Sequence, residues 1–60
     1  MNTVESLLDR IGALVAERQG LRLAGAAADE LERNRLEIAN AQWLLSDALI
    51  ERYLPQQQAA

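Results

Sequence analysis

The run from Asp29 to Leu54 is the longest stretch of this chain without glycine or proline, and its apolar residues fall on two faces of a helix. One series comprises Leu31, Ile38, Leu45 and Leu49. A second series, about a third of a turn away, comprises Leu36, Trp43, Ile50 and Leu54. An ordinary surface helix has a single apolar stripe. One neighbouring helix cannot cover both series, so the run predicts a helix that needs more than one partner.

The length of the chain, 60 residues, predicts a single domain over residues 1–54. A domain of this size buries only about 60% of its unfolded surface and is marginally stable. Small scaffolds compensate with disulfides, a metal, oligomerisation or very good helix packing. The chain has no Cys and no His, which excludes disulfides and leaves only carboxylates as side-chain metal ligands. We therefore expect no cofactor and no metal, and we expect stability to come from assembly.

The first predicted helix covers residues from about 3 to 19, with either Thr3 or an Asn2–Glu5 capping box at its start. Its apolar residues recur at intervals of three and four, which predicts a single stripe with coiled-coil character. Gly20 is predicted to end the helix, because glycine at the position after the C-cap adopts the left-handed conformation without steric cost.

The second predicted helix covers residues from about 29 to 54, and Pro55 disfavours helical geometry at the residue before it. Residues 55–60 are expected to form a disordered tail. The fold class is therefore all-α, an antiparallel two-helix hairpin. Asn34 has two interpretations, a polar residue that fixes register and a boundary residue in water. The predicted core within the hairpin is Val4, Leu7, Leu8, Ile11, Leu14, Val15, Leu31 and Ile38.

A hairpin with these lengths leaves the second helix uncovered beyond about Ser46. The uncovered turns carry several large apolar side chains, which soluble monomers rarely expose together. We expect a homodimeric four-helix bundle, and a higher oligomer or another helical protein could use the same surface. The predicted oligomer interface is Leu36, Trp43, Leu45, Leu49, Ile50, Tyr53 and Leu54.

The composition gives little support to an enzyme. General acid–base and nucleophilic catalysis at neutral pH usually recruit His or Cys, and neither is present. The formal net charge of -3 disfavours a nucleic-acid partner, although Rop-like helical hairpin dimers that bind RNA are an alternative. No apolar run approaches the roughly 20 residues of a membrane span, and no secretory signal pattern is present, so we expect a cytoplasmic protein without membrane contact.

The stretch Leu45-Ser46-Asp47-Ala48-Leu49-Ile50-Glu51-Arg52-Tyr53, with the earlier Gly20-Leu21, resembles the Spo0E-like phosphatases of response regulators, which are short helical hairpins. The resemblance implies a phosphatase alternative, in which the turnover of a phosphorylated response regulator would depend on Asp47. Asp47 and Ala48 occupy the Gln-Glu positions of the family's Ser-Gln-Glu-Leu-Asp motif, and Ile50 occupies its Asp. The preferred hypothesis is a non-enzymatic, self-associating interaction or regulatory module of bacterial type, and a subunit that folds on a different protein is a further alternative.

Overall fold

Two α-helices form an antiparallel hairpin in the computed structural model, which describes residues 3–53. Helix α1 comprises Val4–Leu23 and helix α2 comprises Ala28–Tyr53. At the standard rise the helices are about 30 Å and 39 Å long. No strand occurs within residues 3–53. The predicted all-α helical hairpin is confirmed.

Helix α1 begins with a capping box between Thr3 and Ser6. The Thr3 Oγ1 accepts the Ser6 backbone N–H at 3.0 Å, and the Ser6 Oγ accepts the Thr3 backbone N–H at 3.1 Å. These bonds satisfy donors that the first turn of a helix leaves without partners. The predicted Thr3 N-cap is confirmed. The alternative with Glu5 is wrong, because the Glu5 carboxylate pairs with Arg52, while Asn2 lies outside the described residues.

The end of α1 differs from the prediction, because the helix continues through Gly20 to Leu23. Gly25 takes the left-handed conformation, with φ at +68°. Its N–H donates to the Arg22 carbonyl at 3.1 Å, and the Ala26 N–H donates to the Leu21 carbonyl at 2.9 Å. These are the two bonds of a Schellman ending. Gly25, and not Gly20, therefore stops the first helix.

The longer α1 covers more of α2 than the sequence predicts. At the open end of the hairpin, Glu5 forms an ion pair with Arg52, with its Oε1 3.1 Å from Arg52 Nη2. A groove of about 300 Å³ beside this pair is lined by Thr3, Val4, Ala48, Glu51 and Arg52. The predicted limit of coverage near Ser46 is therefore wrong, because α1 gains four residues at its C-terminal end and the connection shortens to residues 24–27. Leu54 and residues 55–60 lie outside the described residues.

The core of the hairpin is small. Within residues 3–53 the buried residues are Val4, Leu7, Asn34 and Ala41. Asn34 and Ala41 are seven residues apart and so share one face of α2, the face that meets α1. The other predicted core residues divide into a half-buried group, Ile11, Leu14, Leu31 and Ile38, and an exposed pair, Leu8 and Val15. The stripe predicted for α1 is therefore only partly covered by α2.

Candidate interaction surfaces

A cluster of polar groups lies at the centre of the helix–helix contact. Asn34 is 2% exposed, and its Nδ2 donates to the Leu14 carbonyl and to Glu17 Oε2, both at 3.0 Å. Arg18 Nη1 donates to the Leu31 carbonyl at 3.2 Å and lies 3.4 Å from Asn34 Oδ1. Within the described residues no buried side-chain nitrogen or oxygen lacks a partner. Of the two interpretations of Asn34, the boundary residue in water is therefore wrong.

The buried residues Asn34 and Ala41 show which face of α2 packs against α1. Successive residues of an α-helix are rotated by about 100°, so a residue two positions after a buried one lies roughly on the opposite side. Asn34 and Ala41 face α1, and Leu36 and Trp43 follow each of them by two positions. The second apolar series therefore lies about half a turn from the face that α1 covers.

We call Leu36, Trp43 and Ile50 the outer stripe. Their exposed fractions are 53%, 72% and 47%, and they repeat at intervals of seven residues. Large apolar side chains scattered singly over a surface are ordinary, but a continuous series on one helix face is typical of an interaction site. The outer stripe is the longest regular series of exposed apolar residues within residues 3–53.

A second apolar surface lies beside the contact between the helices. Leu8 and Val15 directly follow Leu7 and Leu14, and Leu49 directly follows Ala48. In an antiparallel pair of right-handed helices, the residues that follow the contact positions lie on the same side of the pair in both helices. We call Leu8, Val15 and Leu49 the lateral patch, and all three are exposed. Sequence analysis placed Leu8 and Val15 in the hairpin core, and their position at the edge of the α1 stripe is the signal that could have separated them.

The predicted interface residues therefore fall on different surfaces. Leu36, Trp43 and Ile50 form the outer stripe, Leu49 belongs to the lateral patch, and Tyr53 is exposed near the end of α2. Leu45 is half-buried beside the contact with α1. Leu54 lies outside the described residues. Asp47, the acidic residue of the phosphatase alternative, is exposed next to the outer stripe.

Two ion pairs lie on the surface formed by residues 3–53. The Arg52 guanidinium donates two hydrogen bonds to Glu5, at 3.1 Å each, and lowers the pKa of that carboxyl below its ordinary value of 4.5. Arg35 and Glu32 form a second bidentate pair within α2, at 2.7 and 2.9 Å, and Arg35 lowers the pKa of Glu32. Exposed pairs of this kind contribute little stability. The Glu5–Arg52 pair nevertheless indicates how the helices are arranged, because it joins α1 to α2 at the open end of the hairpin.

Three arginines are thus engaged with their own chain, Arg18 in the polar cluster and Arg35 and Arg52 in ion pairs. A cleft of about 170 Å³ next to the polar cluster is lined by Glu17, Leu21, Glu30, Arg33, Asn34 and Glu37. Its carboxylates outnumber its single guanidinium. Binding to phosphates requires basic side chains that are free to neutralise them. The described surface adds no support to the nucleic-acid alternative, which stays a prediction.

Within residues 3–53, no group of three or more Asp or Glu side chains is arranged to hold a metal ion. Neither α1 nor α2 combines the length and apolar character that crossing a membrane requires. Comparisons of the chain with protein-family models, with curated proteins and with solved structures find no match.

Proposed function

We propose that this chain is a small non-enzymatic interaction or regulatory module that self-associates through its second helix. The observation that carries the proposal is the outer stripe, in which Trp43 is the most exposed large apolar residue of α2. Tryptophan is enriched among the residues that dominate binding energy when an interface buries them. Leu36 and Ile50 flank it one heptad away on either side, so one helix packed along α2 would cover all three.

The small core of the hairpin provides an energetic reason for self-association. Within residues 3–53 only three apolar residues, Val4, Leu7 and Ala41, are buried. Burying a large apolar side chain from full exposure contributes about 1.5–3 kcal/mol, so each half-exposed residue of the outer stripe offers roughly 1 kcal/mol. A domain of this size has a total stability of only several kcal/mol. Covering the outer stripe would therefore be a substantial part of the stability of the folded chain.

A homodimer is the simplest closed assembly and brings four helices together. Association through the lateral patch would give a closed four-helix bundle. Association through the outer stripe would pair the two α2 helices and leave the α1 helices outside. The outer stripe is favoured because its large residues form an unbroken heptad series, whereas Arg35 and Gln42 lie on the same side of α2 as the lateral patch.

Sedimentation equilibrium combined with circular dichroism tests self-association. The natural chain is expected to sediment at twice its mass of 6.6 kDa, and Trp43→Ala is expected to weaken the dimer by roughly 30-fold or more, as truncation of a dominant interface residue does. Helix content should fall together with mass, because the monomer loses part of its buried surface. A natural chain that stays monomeric and fully helical at all concentrations would refute the proposal.

A second candidate function, a subunit that folds on a different helical protein, is favoured by the presence of two separate apolar surfaces. Self-association through the outer stripe leaves the lateral patch exposed. A subunit of this kind would be weakly helical in isolation and would gain helix content when its partner is added. Circular dichroism of the purified chain alone separates the two candidates, since the self-associating module is folded without any addition.

A further inference from the structure

Large and small residues alternate from Leu36 to Ile50 along the side of α2 that carries the outer stripe. Leu36, Ala39, Trp43, Ser46, Ile50 and Tyr53 follow one another at intervals of three and four, the spacing of the two core positions of a coiled coil. Ala39 and Ser46 are both exposed, so neither is required by the contact with α1. A face that alternates in this way fits a partner whose large side chains meet its small ones.

We propose that the occupant of this face is a second copy of the same chain, with its α2 antiparallel to the first. In this arrangement Trp43 of each chain packs over Ser46 of the other, Ile50 packs over Ala39, and Leu36 meets Tyr53. Trp43 and Ile50 then each meet a small residue, and Leu36 meets Tyr53 at the last described turn of α2. The proposal rests on the proposed function, and it adds the identity, the direction and the register of the partner.

The acidic residues at the start of α2 favour the antiparallel direction. Asp29 and Glu32 continue the same face toward the N-terminus, at the spacing of the outer stripe. In a parallel dimer each would face its own counterpart, and like charges opposed across an interface are destabilising. In the antiparallel dimer the two acidic ends lie at opposite ends of the assembly. The charge pattern thus selects one direction.

Polar residues along the edge of the outer stripe also favour the antiparallel direction of the two α2 helices. Asn40 and Asp47 lie on one edge of the outer face, and both are exposed. Antiparallel helices bring like edges together, so the Asn40 amide of each chain faces the Asp47 carboxylate of the other. In a parallel pair opposite edges meet, and Asn40 faces Arg35 instead. The residues that flank a coiled-coil core set the orientation of its helices in this way.

The direction can be measured with one spin label on each chain. The natural sequence has no Cys, so Ala28→Cys provides a single attachment point at the exposed start of α2. In the antiparallel register the two labels are separated by roughly 33 residue rises, or about 50 Å. A dimer with labels about 50 Å apart supports the inference. A dimer with labels about 10–20 Å apart would overturn the inference but leave self-association in place, whereas a monomer would overturn both.

The face and the register are tested by Asn40→Arg, measured as a dimer dissociation constant. In the proposed register the new guanidinium faces Asp47 of the second copy twice per dimer, which should tighten the dimer by roughly 2- to 30-fold. Asp47→Asn should abolish the gain, because it removes the carboxylate without changing the size of the side chain. Weakening by Asn40→Arg, or a gain that persists with Asp47→Asn, would overturn the proposed pairing.

Discussion

The side chain of Asn34 hydrogen-bonds the main chain of the opposite helix, with its Nδ2 3.0 Å from the Leu14 carbonyl oxygen. Arg18 makes the reciprocal contact, since its guanidinium donates to the Leu31 carbonyl at 3.2 Å. Each helix therefore presents a polar side chain to the backbone of the other. Sliding one helix along the other by a turn would leave these buried groups without partners, at a cost of about 1–3 kcal/mol each. The polar cluster fixes the register of a hairpin whose apolar core is small.

Asn34→Ala is expected to lower the free energy of unfolding by about 1–3 kcal/mol, because it removes three hydrogen bonds and leaves Arg18 and Glu17 with fewer partners. Urea titration followed by circular dichroism measures this. Gln19→Ala is the control, since Gln19 is an exposed amide on α1 and its removal should change stability by less than about 0.5 kcal/mol. Equal effects of the two substitutions would show that the polar cluster contributes nothing specific.

The two glycines near the turn are predicted to respond to alanine in opposite directions. Gly20 lies inside α1, and a Cβ there would meet nothing within 4 Å, so Gly20→Ala should stabilise the chain by about 1 kcal/mol. Gly25 has φ at +68°, so Gly25→Ala should destabilise it by about 1–2 kcal/mol. For a domain of this size each kcal/mol moves Tm by about 4–8 °C in a thermal melt. Gly12→Ala is a control for Gly20→Ala, because Gly12 is also helical and unobstructed.

The ion pair at the open end should make stability depend on pH. Arg52 lowers the pKa of Glu5 in the folded chain, so the stabilising contribution is present above the ordinary value of 4.5 and is lost as pH falls through the lower folded value. Glu5→Gln should therefore lower Tm slightly at about pH 7, and this difference should shrink and then vanish as the pH falls through the lowered pKa of Glu5 in the folded chain. The difference should also vanish in an Arg52→Gln background. A difference that persists after the Glu5 carboxyl is protonated would mean that the substitution does not act through the ion pair with Arg52.

The periodicity of the sequence was sufficient to predict two helices and their antiparallel arrangement. It was not sufficient to choose between Gly20 and Gly25 as the end of α1, because either glycine can adopt the left-handed conformation. The structure selects Gly25, and the three additional residues Leu21, Arg22 and Leu23 are all good helix formers. Their intrinsic preference outweighs the cost of one internal glycine.

The sequence predicted that one face of α2 packs against α1, but it did not predict which residues lie at the centre of that face. Apolar periodicity assigns the face to Leu31, Ile38 and Leu45, because a polar residue does not contribute to the pattern. The structure centres it on Asn34 and Ala41, which is acceptable only because Arg18, Glu17 and the Leu14 carbonyl satisfy the amide. The periodicity of one helix gives no information about hydrogen-bond partners on another helix. Leu36 and Trp43, which the sequence assigned to the second apolar series, lie about half a turn from this centre and are exposed.

Two leucines with the same exposure provide a matched test of the outer stripe. Leu36 and Leu8 are each 53% exposed, but Leu36 belongs to the outer stripe and Leu8 to the lateral patch. Leu36→Gln should weaken the dimer by roughly tenfold, which corresponds to about 1.4 kcal/mol of lost burial, whereas Leu8→Gln should leave the dissociation constant nearly unchanged. The measurement is sedimentation equilibrium over a concentration series for both variants. The natural chain serves as the reference.

The thermal melts of the same variants provide an independent check, because the Tm of a folded dimer rises with protein concentration and that of a monomer does not. The natural chain and Leu8→Gln should both show this dependence, and Leu36→Gln should show it only at higher concentrations. The opposite pattern, with Leu8→Gln impaired and Leu36→Gln normal, would assign the contact to the lateral patch. The assembly would then be the closed four-helix bundle, because the lateral patch contains residues from both helices and its association brings all four helices around one core.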